Sequence, residues 1–157
     1  MKVCKFEKIK DEDEMKQVIN CIQKEHPYVA VVPILAQLQE WLQAISISWF
    51  HEEDEVSHTT VNAIEAYCCT LANHLITDSH LNQEIKNRIL ECIKKIHILV
   101  EDKADLLIDK MIKAEVYGLS SDLFTYCLRQ QGLRAQTLDT GKLIQINLER
   151  KPDIPYI

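Results

Sequence analysis

The sequence AEVYGLSSDLFTYCLRQQGLRAQTLDTGKLI, residues 114–144, decides the fold that we predict for this chain. Part of it has apolar residues at the spacing of a helix with one buried stripe, namely Leu119, Leu123, Phe124, Cys127 and Leu128. We expect Ser120 or Ser121 to cap the start of this helix, because a hydroxyl can accept a bond from one of its first N–H groups. Gly132 is expected to end the helix in a left-handed conformation.

A strand is predicted directly after this helix. Residues 133–138, LRAQTL, are expected to form the strand, and residues 139–141, DTG, the turn that follows it. A helix, a glycine, a strand and a turn in this order make half of a βαβ unit. The predicted fold class is therefore α/β.

The N-terminal residues predict a complete βαβ unit. Residues 2–6 form a candidate strand, and residues 28–32, YVAVV, form a continuous apolar run typical of a strand buried on both faces of a parallel sheet. Between them lie apolar residues at helical spacing, namely Met15, Val18, Ile19 and Ile22. We expect the crossover between the two strands to be right-handed.

The middle of the chain predicts helices only. One helix is expected after Pro33, through Ile45, and a linker at residues 51–54. Three more helices are expected near residues 55–77, 81–99 and 101–116, and the apolar set of the third is Leu106, Leu107 and Met111. Trp41, Trp49 and Phe50 follow the helical period and are expected to be core or interface anchors.

Composition limits the function classes that the chain can belong to. With 157 residues, 46% of them hydrophobic, it can bury one core and is expected to be a single domain. A net charge of −6 argues against a nucleic-acid partner, which requires a basic face. The sequence shows neither an apolar run of membrane-spanning length nor a secretory leader, so we expect a cytoplasmic protein with no membrane partner.

The cysteines, histidines and glycines are candidate components of a metal or phosphate site. The six cysteines lie mostly at apolar positions and lack C-x-x-C spacing, so free, buried thiols are expected. Residues 51–58, HEEDEVSH, have the residue types of a metal site, but a charge run of this kind is usually a solvated surface, and we expect no metal. The three glycines do not cluster, so no loop for cradling phosphate is predicted.

The two ends of the chain resemble the aspartokinases, a family of amino-acid kinases. The family has a pattern in four parts: Gly-Glu-x-Leu-Ser, a helix ending Leu-x-x-x-Gly, a strand, and an Asp-x-x-x-Leu-Ile turn. The residues of this chain that match it are Leu119, Ser120, Leu128, Gly132, Ala135, Asp139, Leu143 and Ile144. Residues 1–6, MKVCKF, resemble the opening strand of the family, which ends Lys-Phe-Gly-Gly-Thr-Ser. The resemblance implies a three-layer α/β/α fold with a mainly parallel sheet, a partial amino-acid-kinase fold. It also implies one aspartokinase-like domain over residues 1–157, with a helical insertion at about 51–116.

Several positions that carry the kinase chemistry in the family have changed. The resemblance implies that Lys5 is the lysine that neutralises the transferred phosphoryl group, but Glu7 and Lys8 occupy the places of the two glycines. Pro33 lies where the family has a turn of small residues, and Tyr117 lies where it has a glutamate.

Ser120 survives at its family position, although a role as a helix cap would account for it. The resemblance stops before the region in which aspartokinases bind ATP. No catalytic residue and no cofactor are therefore expected, and Lys5, Glu7, Lys8, Pro33, Tyr117 and Ser120 are interpreted as vestigial positions.

The sequence thus favours a catalytically inactive aspartokinase-like protein. It would act as a binding, regulatory or oligomerisation module linked to amino-acid metabolism. A homodimer is expected, with an enzyme of the aspartate pathway as a possible partner. Two alternatives stay open: a residual aspartate kinase completed by a partner subunit, and an amino-acid sensor with a pocket near Lys5 and Ser120.

Overall fold

Helices dominate the computed structural model, which describes residues 2–138. In chain order the elements are β1 (Val3–Lys5), α1 (Glu12–Glu25), β2 (Val29–Val31), α2 (Ala36–Phe50), α3 (Asp54–Leu75), α4 (Ser79–Glu101) and α5 (Ile108–Gln130). Helix α2 packs against α3, α3 against α4 and α4 against α5, while α1 and α2 also contact α5. One hydrophobic cluster runs through all five helices.

The predicted three-layer α/β/α fold with a mainly parallel sheet is wrong. Of the described residues, 71% are helical, and the sheet that they contain has only two strands. Strand β1 pairs with β2 in parallel, with Val3 opposite Val29 and Lys5 opposite Val31. Two strands of three residues cannot form a layer that helices cover on both faces, so the core consists of helix packed on helix.

The βαβ unit at the N-terminus is confirmed as β1, α1 and β2. Asp11 caps α1, because its Oδ1 accepts a hydrogen bond from the backbone N–H of Glu14 at 2.9 Å. The buried face of α1 is the predicted one. Burial of β2 on both faces is wrong, since Val31 is 46% exposed and no described helix covers that side.

Helix α5 corrects the prediction for residues 114–138. It begins at Ile108, so Ser120 and Ser121 lie inside a helix and cap nothing. The apolar stripe continues toward the N-terminus through Val116 and Ile112, which extends the helix by three turns. Gly132 ends it as predicted, with φ +86°.

The predicted strand at residues 133–138 is absent, because no described strand lies beside this segment. Side-chain bonds hold the segment against α5 instead: Arg129 Nε donates to the carbonyl oxygen of Ala135 at 2.9 Å, and Thr137 Oγ1 donates to Asp122 Oδ1 at 2.7 Å. The predicted turn at residues 139–141, and all residues after it, lie outside the described residues.

Helices α3 and α4 confirm two of the three helices predicted near residues 55–77, 81–99 and 101–116. Asp78 caps α4 by accepting a bond from the N–H of Leu81 at 2.9 Å. The third predicted helix is the first part of α5, but its expected apolar face is wrong. Leu106, Leu107 and Met111 are exposed, whereas Ile108 and Ile112 are buried. Within residues 2–138 no helix is both long enough and apolar enough to cross a membrane.

Three of the cysteines are buried as predicted: Cys68, Cys92 and Cys127. Burial disfavours the thiolate and raises the pKa of both Cys92 and Cys127 to about 12. These thiols behave as small apolar core residues. Cys21 is exposed, so the prediction fails there.

The central position of α4 gives a stability prediction. Ile89 is completely buried between the neighbouring helices, so Ile89→Ala leaves a cavity and should lower the free energy of unfolding by about 2–5 kcal/mol. Leu90→Ala, at the adjacent half-exposed position, should cost less than about 1 kcal/mol. Urea denaturation of the two variants measures both, and equal losses would contradict the packing described.

Candidate functional site

Three positions singled out in the sequence meet at one groove. The groove has a volume of about 260 Å³ and is lined by Val32, Pro33, Ile34, Tyr117, Ser120 and Ser121. The first three residues belong to the connection between β2 and α2, and the others lie on one side of the middle of α5. The groove therefore separates the βαβ unit from the long C-terminal helix.

Buried backbone contacts position the groove wall. Leu35 is completely buried, and the N–H of Ala36 donates to the carbonyl oxygen of Ile9 at 3.0 Å. On the opposite wall, the hydroxyl of Tyr117 donates to Gln39 Oε1 at 3.4 Å. Tyr117 thus links α5 to α2 at the rim of the groove.

The Ser120 hydroxyl is the unusual polar group of the groove. The residue is 2% exposed, and its Oγ has no hydrogen-bond partner among the described residues. Thr125, one turn further on, does bond the carbonyl oxygen of Ser121 at 3.0 Å. Burial of an unbonded hydroxyl costs about 1–3 kcal/mol. Because water cannot reach Oγ, Ser120 lines the groove with its apolar atoms.

Among the residues that the structure describes, the polar side chains lining the groove are those of Tyr117, Ser120 and Ser121, and no Asp, Glu, Lys, Arg or His belongs to the lining. General acid–base catalysis and the stabilisation of a phosphoryl group both depend on such groups at the reacting atoms. The described lining of the groove therefore offers hydroxyl groups and apolar surface, and no carboxylate, amine, guanidinium or imidazole group.

Lys5, Glu7 and Lys8 lie away from this lining. Lys5 is the last residue of β1, and all three side chains are exposed. Lys8 instead lines a second groove of about 330 Å³, together with Phe6, Lys10, Glu14, Gln17 and Val18. The structure thus groups Pro33, Tyr117 and Ser120, and leaves the three N-terminal positions apart from them.

The second groove has charges of both signs in its lining. A helix N-terminus can bind an anion through its free N–H groups, and at α1 one of these groups, the N–H of Glu14, is occupied by the carboxylate of the Asp11 cap. Glu14 adds a second carboxylate, which accepts a bond from the N–H of Lys10 at 2.6 Å. Lys8 and Lys10 add two positive charges to the same lining.

Residues 51–58 contribute structural contacts. Asp54 pairs with Lys103 at 2.8 Å, and His58 contacts His97 on α4. In the part of the chain that the structure describes, no group of three or more His, Cys, Asp and Glu side chains could hold a metal ion. Sequence reasoning missed the contact between His58 and His97. The positions of the two histidines could have indicated this contact, because His58 follows the buried residue Ser57 and His97 follows the buried residue Ile96.

A further surface feature, which we call the apolar end, was not predicted. It consists of side chains that are each between 48% and 76% exposed, namely Ile47, Phe50, Val56, Leu106, Leu107 and Met111. Their elements are joined at one end of the helices. Ser46 bonds Asp109 across α2 and α5, and Trp49 Nε1 donates to the carbonyl oxygen of Asp102 at 3.1 Å.

At this end of the helices, one of the aromatic residues predicted to be anchors lies in the core and another lies on the surface. Trp49 is buried in the core, whereas Phe50 is exposed beside it. Their rings meet edge to face with centroids 5.0 Å apart. The signal that separates them in the sequence is the stripe Leu38, Leu42, Ile45 and Trp49, which Phe50 and Ile47 do not follow.

A substitution at Ser120 tests whether the buried hydroxyl of this residue lacks a hydrogen-bond partner. Ser120→Ala removes an unbonded buried hydroxyl and places a better helix former, so the free energy of unfolding should rise by about 1 kcal/mol. Ser57→Ala is the matched control, because that buried hydroxyl bonds Ser48 Oγ at 2.5 Å and its loss should cost about 1 kcal/mol. A Ser120→Ala variant destabilised as much as the control would show that the hydroxyl has a bonding partner.

Comparisons with known proteins assign no family to the chain. No protein-family model, no curated protein and no solved structure matches it. The resemblance to aspartokinases stays a prediction of the sequence, and the fold that it implied differs from the one observed.

Proposed function

We propose that this chain is a non-catalytic binding module that forms a homodimer through its apolar end. The observation that carries the proposal is the concentration of six exposed apolar side chains where α2 ends and α3 and α5 begin. Single exposed apolar residues are normal on a protein surface. Several together at one end of a small protein are typical of an interaction surface.

Phe50 is the expected anchor of the interface. Its ring rests on the edge of Trp49, which is fixed by its bond to Asp102 and by the Lys103 ammonium 5.2 Å from the centre of its ring. A rigid exposed aromatic side chain loses little conformational entropy on binding. Aromatic residues of this kind supply much of the binding energy of known interfaces.

The surroundings of the apolar end are compatible with a second copy of the chain. Charges of both signs lie beside it, for example exposed Asp105 and Lys110. In a two-fold symmetric pair the same patch faces itself, so a rim with both signs can avoid placing like charges together. The net charge of −6 opposes association only weakly, because physiological salt screens charges beyond about 8 Å.

The non-catalytic part of the proposal is supported by the two grooves. In the described chain, the lining of the groove at Pro33 has no ionisable acid or base apart from the Tyr117 phenol, and the groove beside α1 includes only Lys8 of the family positions. A link to amino-acid metabolism, with an enzyme of the aspartate pathway as partner, depends on the aspartokinase resemblance alone.

Self-association can be tested with one substitution. The unmodified chain should sediment as a dimer at micromolar concentration, and Phe50→Asp should sediment as a monomer because it places a charge in the apolar contact. Leu90→Asp introduces the same charge at a half-exposed apolar position of α4 and should leave the dimer intact. A monomeric unmodified chain, or a dimer that persists in Phe50→Asp, would contradict the proposal.

Ligand binding tests the absence of kinase function separately. Isothermal titration with ATP and magnesium, and then with aspartate, should give no saturable heat, because Glu7 and Lys8 stand where the kinase family uses glycines that let the backbone approach the phosphates. The titration should be repeated at a concentration at which the chain is dimeric, so that a site shared between two copies is included. Saturable heat with both ligands would support the residual kinase, and heat with aspartate alone would support the amino-acid sensor.

A further inference from the structure

His58 of α3 and His97 of α4 face each other through the same ring nitrogen. Their Nδ1 atoms are 2.7 Å apart, and their ring centroids are 4.9 Å apart with an angle of 26° between the planes. The centroid separation exceeds the nitrogen separation by about the width of one ring. The two Nδ1 atoms therefore lie between the ring centres, and the rings meet end to end in nearly one plane.

This geometry sets the number of protons that the pair can hold. Two nitrogens at hydrogen-bond distance need one proton between them, so one Nδ1 donates and the other accepts. If both Nδ1 atoms were protonated, two N–H groups would point at each other. Two positive imidazolium rings would then be in contact, and the bond between α3 and α4 would be lost.

The outer nitrogens of the rings have partners from both helices. His58 Nε2 lies 3.3 Å from Glu101 Oε1, and His97 Nε2 lies 3.1 Å from the side-chain oxygen of Asn62. The Asn62 amide can present either its oxygen or its nitrogen to His97. The pair is therefore fully bonded when it is neutral or carries one positive charge, but not when it carries two.

We propose that the His58–His97 pair is a pH-sensitive clasp between α3 and α4. The clasp is closed while one proton lies between the two Nδ1 atoms, and it opens when both atoms become protonated. It joins the N-terminal part of α3 to the C-terminal part of α4. It acts on the packing of these helices whether or not the chain self-associates.

The titratable groups around the pair determine the direction of the effect. Burial, and then the charge of His58, lower the pKa of His97 below its ordinary value of 6.5, while Glu65 on α3 and Glu101 on α4 oppose that shift. The folded protein therefore takes up the second proton less readily than the unfolded chain. The stability from the clasp is complete above pH 6.5 and is lost as the pH falls below that value.

Thermal unfolding of variants measures the contribution of the clasp. Between about pH 8 and pH 5, the unfolding midpoint of the unmodified chain should fall by at least about 2 °C more than that of His97→Gln, which cannot form the charged pair. His80→Gln is the matched control, because His80 lies on α4 with a largely exposed side chain. It should keep the full fall in midpoint.

Ring nitrogen NMR of the unmodified chain provides a second measurement that no folding defect of a variant can affect. The ring-nitrogen resonances of His97 should titrate below pH 6.5, and the same step should shift those of His58 because the two Nδ1 atoms share one hydrogen bond. Two independent titrations near the ordinary value would overturn the proposal. So would a His97→Gln variant that folds and keeps the complete pH dependence.

Discussion

Burial of α4 between α3 and α5 is the constraint on which the rest of this structure depends. Its apolar face is inaccessible to water, from Ile85 near the start to Val100 near the end. With about 25 cal/mol for each Å² of apolar surface removed from water, this three-helix contact outweighs the exposed ion pairs, which contribute at most about 1 kcal/mol each. The partly buried bonds beside it orient the helices: Arg88 to Asp122 on α5, and His97 to His58 on α3.

The βαβ unit depends on the helices for its stability. Two parallel strands of three residues have little stability alone, and the side chains of Val3 and Val31 are largely exposed. The unit is attached through the buried face of α1 and through Ile9, whose carbonyl oxygen accepts the bond from Ala36. The groove beside Pro33 lies where this small unit meets α5. Its shape is therefore a consequence of that attachment.

Hydrophobic periodicity correctly predicted the elements whose structure depends on their own sequence. It failed where the structure depends on contacts with another part of the chain. Helices α1, α3 and α4 follow from apolar spacing, and the parallel pair β1–β2 follows from two short apolar runs on either side of a helix. The alternation in residues 133–138 is that of a strand, but a strand needs a partner, and the described chain offers none. Ser120 has the residue type of a cap, but the stripe that continues to Ile108 places it inside α5. The apolar end was missed for a related reason: the register of α5 buries Ile108 and Ile112 and leaves Leu107 and Met111 outside.

The features that folding stability does not explain are the ones that bear on function. An exposed Phe50 contributes less to the core than a buried residue, and it increases the risk of aggregation unless something covers it. The His58–His97 bond is weakened by acid, which a purely structural contact between helices could avoid by using apolar residues. Both features lie toward the end where α3 begins and α4 finishes. In the function that we propose, this end of the helices is the surface that contacts a second copy of the chain.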